Sequence, residues 1–332
     1  MSRFDNYTPS KSAPLLESVK SVAAQSESVA IDAGQIERVC AAVSAVDLVV
    51  PNWNEFVHPA WDIAERVSFF MLFNTVNFCY WGEPRWSVID QNDLNRRKTG
   101  SLALLAALRI AYEDGVPIFD GDFLAQISIA QARRILCGEE EIPLFDERVA
   151  IWRRIGKSLL DGFGGHFYPV FRSGNGDALS LVQLLVSRFP DFLDASNYRG
   201  KQILFHKRAQ LAVAQIYGNL SSQDSVPLAN IRELTVFADY RLPQTLHALG
   251  ILKYSAALTR QIAAGQLLPK DSPEEVEIRA NTVWAGELIR QALAPRFPWV
   301  TALQIDYWLW MQRQHVAETN RLPHHKTLTT AY

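Results

Sequence analysis

Apolar residues recur at every third or fourth position through most of this chain, and that spacing constrains the fold more than any other feature. Ile36, Val39 and Val43 make one such row, and Leu102, Leu105, Ala106 and Leu108 another. Leu179, Val182, Leu185 and Val186 repeat it, as do Leu246, Leu249 and Leu252. Side chains spaced in this way share one face of an α-helix, and burying that face is what stabilises the helix. Alternation at period two is scarce. Only the segment Asp62–Val76 invites a short strand or two, around Val67–Leu72. Strands and helices do not alternate in the rhythm of a parallel sheet. No repeat of fixed period is visible. The expected class is therefore all-α: mostly helical, with a few short strands.

Gly, Ser and Pro clusters punctuate the helices at Gly115–Pro117, Gly138, Gly162–Gly165, Ser173–Gly176 and Ser221–Pro227. None is long enough to be a linker. Residues 1–12 lack periodicity and read as a flexible tail, and residues 13–332 as a single helical domain. At 332 residues and 48% apolar content, such a domain can bury a substantial core.

Charge narrows the partners. The net charge is −2 with no run of Lys or Arg, which disfavours a nucleic-acid polymer gripped through many phosphates. Cys40, Cys79 and Cys137 are odd in number and widely spaced, so neither a disulfide framework nor a zinc site is expected. There is no secretory apolar stretch and no run long enough to span a bilayer. No Gly-rich phosphate loop occurs. A soluble cytoplasmic protein is expected, without metal, cofactor or membrane partner.

Two segments carry the strongest chemical signal. In KQILFHKRAQLAVAQIYG (Lys201–Gly218), Leu204, Lys207, Leu211 and Ala214 are spaced three, four, three. Lys207 then lies on an apolar stripe while Arg208 faces outward. A buried lysine is costly unless it is paired or at a cleft, and from this helix alone a snorkelling lysine at the core edge is the better explanation. In ELTVFADYRLPQTLHALG (Glu233–Gly250), Asp239 sits in an apolar and aromatic run just ahead of a helix whose first turn holds Pro243. A plain N-cap accounts for an Asp there. Its apolar setting is more than a cap needs. Together the two residues suggest a buried charge pair.

Helix, hairpin, helix with a Lys, then an Asp at the next helix start, resembles the helix-hairpin-helix DNA glycosylases. A closer likeness is carried by NFCYWG (Asn77–Gly82), YRGKQILFHKRAQ (Tyr198–Gln210), ELTVFADYRLPQ (Glu233–Gln244), EEVEIRANTVWAGELIR (Glu274–Arg290) and DYWLW (Asp306–Trp310). In this order, from about Val49 to the C-terminal HHKTLTTAY, these runs resemble the queuosine salvage protein family. The resemblance implies a DNA-glycosylase-like helical fold and hydrolysis of queuosine 5′-phosphate to release the base queuine, for use in tRNA modification. It makes Asp239 the match of the catalytic aspartate and Lys207 that of a nearby lysine. The hairpin turn, Tyr198-Arg199-Gly200-Lys201, lacks the paired glycines that admit a duplex backbone, so a mononucleotide is the expected partner.

Glycosidic cleavage passes through an oxocarbenium-like cation, which a carboxylate stabilises strongly in a medium of low polarity. Asp239 suits three roles: steadying that charge, activating water, or attacking the sugar. Lys207 suits two: keeping Asp239 ionised or touching the nucleotide. Around them, Phe237, His58, Asp306 and Trp310 are candidates for holding the flat base and its amine-bearing group. Asp306 and Trp310 are four apart and share a helix face. Tyr198, Arg199, Lys201, His206 and Arg241 are candidates for the phosphate. Core roles compete for Phe237 and His58, and a solvated helix face for the cations. Asn77 and Phe78 read as core, with some contribution from Trp81 to the site. His324 and His325 read as a lid contact or a frayed tail. Glu275 and Glu277 read as surface charges, Glu287 as a partner of Arg290 or Arg279, and Glu139–Glu141 as a solvated loop.

Two other functions fit the Lys–Asp pair or the fold. One is a base-excision DNA glycosylase, which predicts salt-sensitive DNA binding. The other is a non-catalytic helical binding protein, which places Lys207 and Asp239 away from any pocket.

Overall fold

The computed structural model of the chain describes residues 13–90, 96–220, 224, 226, 228–312 and 322–332. The tail expected at residues 1–12 and most of the Ser221–Pro227 breaker lie outside the described residues. Among those described, fourteen α-helices carry most of the chain, with six strands of three or four residues and short 3-10 turns. The strands form three separate antiparallel pairs: Val29–Ile31 with Leu252–Tyr254, Ser87–Ile89 with Arg97–Thr99, and Ala195–Tyr198 with Lys201–Leu204. The protein is predominantly helical. No described helix is long and apolar enough to cross a membrane.

The chain divides into two compact units, each assembled from several segments. The unit that holds Lys207 and Asp239 draws on Met1–Pro51, Asp194–Gln210 and Asn230–Leu328. Its spine is the helix Pro273–Leu293. Ser272 caps that helix by accepting from Glu275 N (3.3 Å), Pro273 opens it, and Glu274 and Glu275 face its positive end. The helices Ala13–Ala23, Ala33–Ala42, Arg241–Ala248 and Ala302–Gln312 pack around it. Because neighbours surround it, even its polar residues are buried. Glu275 and Glu277, expected on the surface, are each 1% exposed. Glu277 is satisfied from two sides. Its Oε2 accepts Ser28 N at 2.7 Å, with Glu27 N and Val29 N slightly farther, and its Oε1 accepts the Tyr198 hydroxyl at 2.8 Å.

The second unit draws on Asn52–Leu193, Leu211–Ala229 and Thr329–Tyr332. Its central helix, Ile63–Thr75, occupies the segment that invited a strand around Val67–Leu72. Val67 to Thr75 are all buried, so the helix shows no polar face and no period of 3.6. The overlooked signal was its start, where Asp62 accepts Glu65 N and Glu65 accepts Asp62 N in a capping box. In the first unit the row Leu246, Leu249, Leu252 also breaks up. The helix stops at Ala248, and Leu252 begins a strand beyond the positive-φ Gly250.

Gly286, within the spine helix, fixes how closely the Leu234–Ala238 run approaches it. A Cβ there would stand 2.6 Å from Val236 Cγ2 and 2.7 Å from Cγ1. Gly286→Ala gains about 1 kcal/mol of helix propensity. It also drives a stiff β-branched side chain from its seat, at a cost of about 1–3 kcal/mol. We expect net destabilisation in urea unfolding, relieved by adding Val236→Ala.

Candidate active site

Lys207 is the first residue of the helix Lys207–Asn219, not a stripe residue inside it, because Leu204 still belongs to a strand. The chain turns into the helix at His206, whose φ of 50° is left-handed. Such a conformation costs a non-glycine residue about 1–3 kcal/mol unless its surroundings enforce it. Asp194 enforces it. Its main-chain oxygen accepts Phe205 N at 2.9 Å and His206 N at 3.1 Å, and its Oδ2 accepts Lys207 N at 3.0 Å. Asp194 thus performs from a distance what an N-cap does locally.

The Lys207 side chain is 6% exposed. Burial pushes its ammonium below the usual lysine range, and the Asp239 carboxylate is the strongest charge resisting that shift. Arg208 adds to the lowering, whereas Asp306 and Asp194 oppose it. Arg208, expected to face outward, is itself buried at 2% exposure.

Asp239 lies two residues before the helix Arg241–Ala248 and is partly exposed. Its Oδ1 accepts Arg241 N at 2.7 Å and Leu242 N at 3.0 Å. These are donors that the first helical turn leaves without partners. Among the described residues Oδ2 accepts no hydrogen bond. One oxygen is therefore held by the backbone and the other is unclaimed.

Asp306, on the helix Ala302–Gln312, reaches the same run. Its Oδ2 accepts Phe237 N at 2.7 Å. Burial pushes its carboxyl up to about 8; the Phe237 N–H opposes this, Asp239 reinforces it, and Lys207 opposes it again. The Phe237 side chain itself is buried. Trp310, one turn beyond Asp306, is partly exposed and stacks on Tyr307 (6.0 Å between centroids, 16° between planes).

His324 joins the group from the C-terminal segment, so it is not a frayed residue. Its ring packs on Tyr240 at 4.6 Å, and its Nδ1 donates to His325 O at 2.8 Å. Burial pushes it down to about 4; Arg241 adds to this and Asp239 opposes it. His325 is buried at 3% exposure.

Asp239 acts electrostatically on Lys207, Asp306 and His324, Lys207 acts on Asp306, and Arg241 acts on His324. The other expected residues have different surroundings. The Tyr198 hydroxyl is tied to Glu277 and Gln25 O, Arg199 is exposed and pairs with Glu27, and Lys201 is exposed. The ring of His206 is partly buried, and its Nε2 has no hydrogen-bond partner among the described residues. His58 belongs to the second unit. There it is exposed, accepts Ala60 N at 3.1 Å, and lines a cavity of about 460 Å³ with Asp90, Arg109 and Glu113. Asn77, also in that unit, bonds to Asn74 and Tyr80 in its core. Glu287 pairs with Arg290, not Arg279.

Two residues of this unit escaped the sequence reading. Asp194 and Arg279 form a bidentate ion pair at 2.9 and 2.6 Å, buried to 4% and 1% exposure. They are 85 positions apart, and no local pattern links them.

The Asp306 shift has a consequence for stability. Its folded-state pKa, about 8, lies above the ordinary 3.8, so the folded protein holds that proton more tightly than the unfolded chain. The resulting penalty is absent below about pH 4 and grows until the pH passes about 8. Asp306→Asn keeps an acceptor for Phe237 N and removes the penalty. Its melting temperature should exceed that of the wild type at pH 8.5, with the gap shrinking toward pH 5.

Comparison with known proteins shows the family. Residues 57–332 match the family described as queuosine salvage protein. A Queuosine 5′-phosphate N-glycosylase/hydrolase of Sphaerobacter thermophilus is 38% identical, over 96% of this chain and 97% of its own. Proteins of the same description from Bos taurus and Mus musculus are each 32% identical, over 95% of this chain and 98% of theirs. The chain therefore belongs to the queuosine salvage protein family.

Proposed function

We propose that this protein hydrolyses the N-glycosidic bond of queuosine 5′-phosphate and releases queuine for salvage into tRNA. The observation that carries the reading is Asp239. One of its oxygens is fixed by backbone N–H groups and the other is open beside a buried lysine, in a chain similar along its whole length to hydrolases of that nucleotide.

In the reaction the bond from C1′ to the base nitrogen breaks, water oxygen bonds to C1′, and the base departs with a proton. Positive charge develops at the sugar as the bond opens. Asp239 Oδ2 meets that charge as an electrostatic partner, as an activator of water or as a nucleophile, and Asp239 in turn opposes the loss of charge that burial imposes on Lys207. The leaving base is a 7-deazaguanine without an N7 to protonate, so donors at another edge take up its charge. Asp306 serves the base side. Its carboxyl enters protonated, as a donor, and ionises when a cationic amine is delivered to it. Trp310 and Phe237 wall the base. Arg241, two residues beyond Asp239, is the cation best placed for the phosphate. His324, held neutral, accepts hydrogen bonds through Nε2.

The test is incubation of purified protein with the 5′-phosphate and with the nucleoside, followed by chromatography for free queuine. We expect release from the phosphate to fall by at least about 10³-fold in Asp239→Ala, with unchanged circular dichroism. Turnover at the wild-type rate by that variant excludes the mechanism. Arg241→Ala should raise KM for the phosphate about 10-fold or more and leave any turnover of the nucleoside nearly unaltered, because only the phosphate loses a charge-assisted contact.

A further inference from the structure

Lys207 and Asp239 sit on two chain segments, the turn Phe205–Lys207 and the run Val236–Asp239. One buried ion pair reaches both. Asp194 Oδ2 accepts Lys207 N, and the same carboxylate takes two parallel hydrogen bonds from Arg279 (2.9 and 2.6 Å). The third arm of that guanidinium, Nε, donates to Ala238 O at 3.4 Å, one peptide from Asp239. Phe205 closes the stack, with Arg279 Cζ 3.9 Å from its ring centroid. Glu275, one helical turn before Arg279, stands behind it at 3.8 Å. A further tie joins the segments elsewhere. Gln210 Nε2 donates to Phe205 O, and Gln210 Oε1 accepts Thr235 N at 2.8 Å. That second tie leaves the ends that carry Lys207 and Asp239 to the ion pair.

We infer that Asp194 and Arg279 are a positioning pair for the glycosidic cleavage: they set the register between the Lys207 ammonium and the Asp239 carboxylate and touch no substrate atom. This inference rests on the roles proposed for Lys207 and Asp239. A planar fork suits the task. Arg279 offers donors along two edges in fixed geometry, so it can grip a carboxylate with one edge and a carbonyl with the other. A lysine carries the same charge but cannot span both. The pair is also an unusual choice for stability alone, since a buried ion pair seldom improves on apolar groups of the same shape. Its contacts fall on the backbone atoms that orient the two functional side chains.

The test is Arg279→Lys in the full chain, which preserves charge and removes the fork. Asp194→Asn is the second variant if the first folds poorly, read on melting temperature, kcat and KM alone, because it removes a charge that acts on Lys207. Three quantities are read for Arg279→Lys: the melting temperature, kcat and KM for queuosine 5′-phosphate, and the titration midpoint of Lys207 followed by NMR of its ¹³C-labelled Cε. A loss of register of about 1 Å predicts a fall in kcat of about 10- to 100-fold with KM within about 3-fold. It also displaces the Lys207 midpoint, although no charge has been removed. If the variant melts lower while kcat per folded molecule and the Lys207 midpoint both stay at wild-type values, the pair is merely structural and the inference is overturned. Should the wild type release no queuine, the proposed function fails by itself. The Lys207 midpoints of wild type and variant then still decide whether Arg279 sets the register.

Discussion

Arg279 is the group on which the arrangement of the site depends. Its charge is buried in the middle of the spine helix, where an unpaired guanidinium would be untenable. Asp194 neutralises it and is in turn tied to the turn that starts the Lys207 helix. Removing either partner would leave the other charge buried without compensation, at about 3–5 kcal/mol. The ion pair therefore holds the left-handed turn at His206 and, through Ala238, the approach to Asp239. Local strain at the start of the helix is offset by an interaction that spans the unit.

Around that anchor, three carboxylates differ because their surroundings differ. Arg279 keeps Asp194 well below the usual carboxylate range although it is fully buried. Asp306 has no guanidinium among the charges that act on it, and burial pushes it upward. Asp239 lies at a helix start with one oxygen on backbone donors and the other unclaimed. The unclaimed oxygen of Asp239 is the one proposed to meet a developing cation. Surroundings thus give groups of one chemical type different properties, as they do for carboxylates in other hydrolases.

Much of this was legible in the sequence. The periodic rows predicted helices at Ala33–Ala42 and Ala178–Arg188, because each buries one face only, and at Gly100–Glu113, although Ala103–Leu108 are buried without a break. The rows failed at two other places. Ile63–Thr75 is buried all round, and the Leu246–Leu252 row passes through a helix stop at Gly250. In the site, Asp239 and Lys207 stood out as charges in apolar runs, and Asp306 as an acid among aromatics. Asp194 and Arg279 were not recoverable. A pair formed between residues 85 apart leaves no spacing to read, and Arg279 alone looks like any helix arginine. The partners of the hairpin residues were hidden for a related reason: nothing in YRGK tells that Tyr198 is bound to Glu277 or Arg199 to Glu27.

The most direct measurement is a crystal structure of the Asp239→Asn variant with queuosine 5′-phosphate bound. The account predicts C1′ of the ribose in van der Waals contact with the side chain at 239, the base between Asp306 and Trp310, and the phosphate at Arg241. A nucleotide seated elsewhere, or one that turns its base or phosphate toward residue 239, would contradict it.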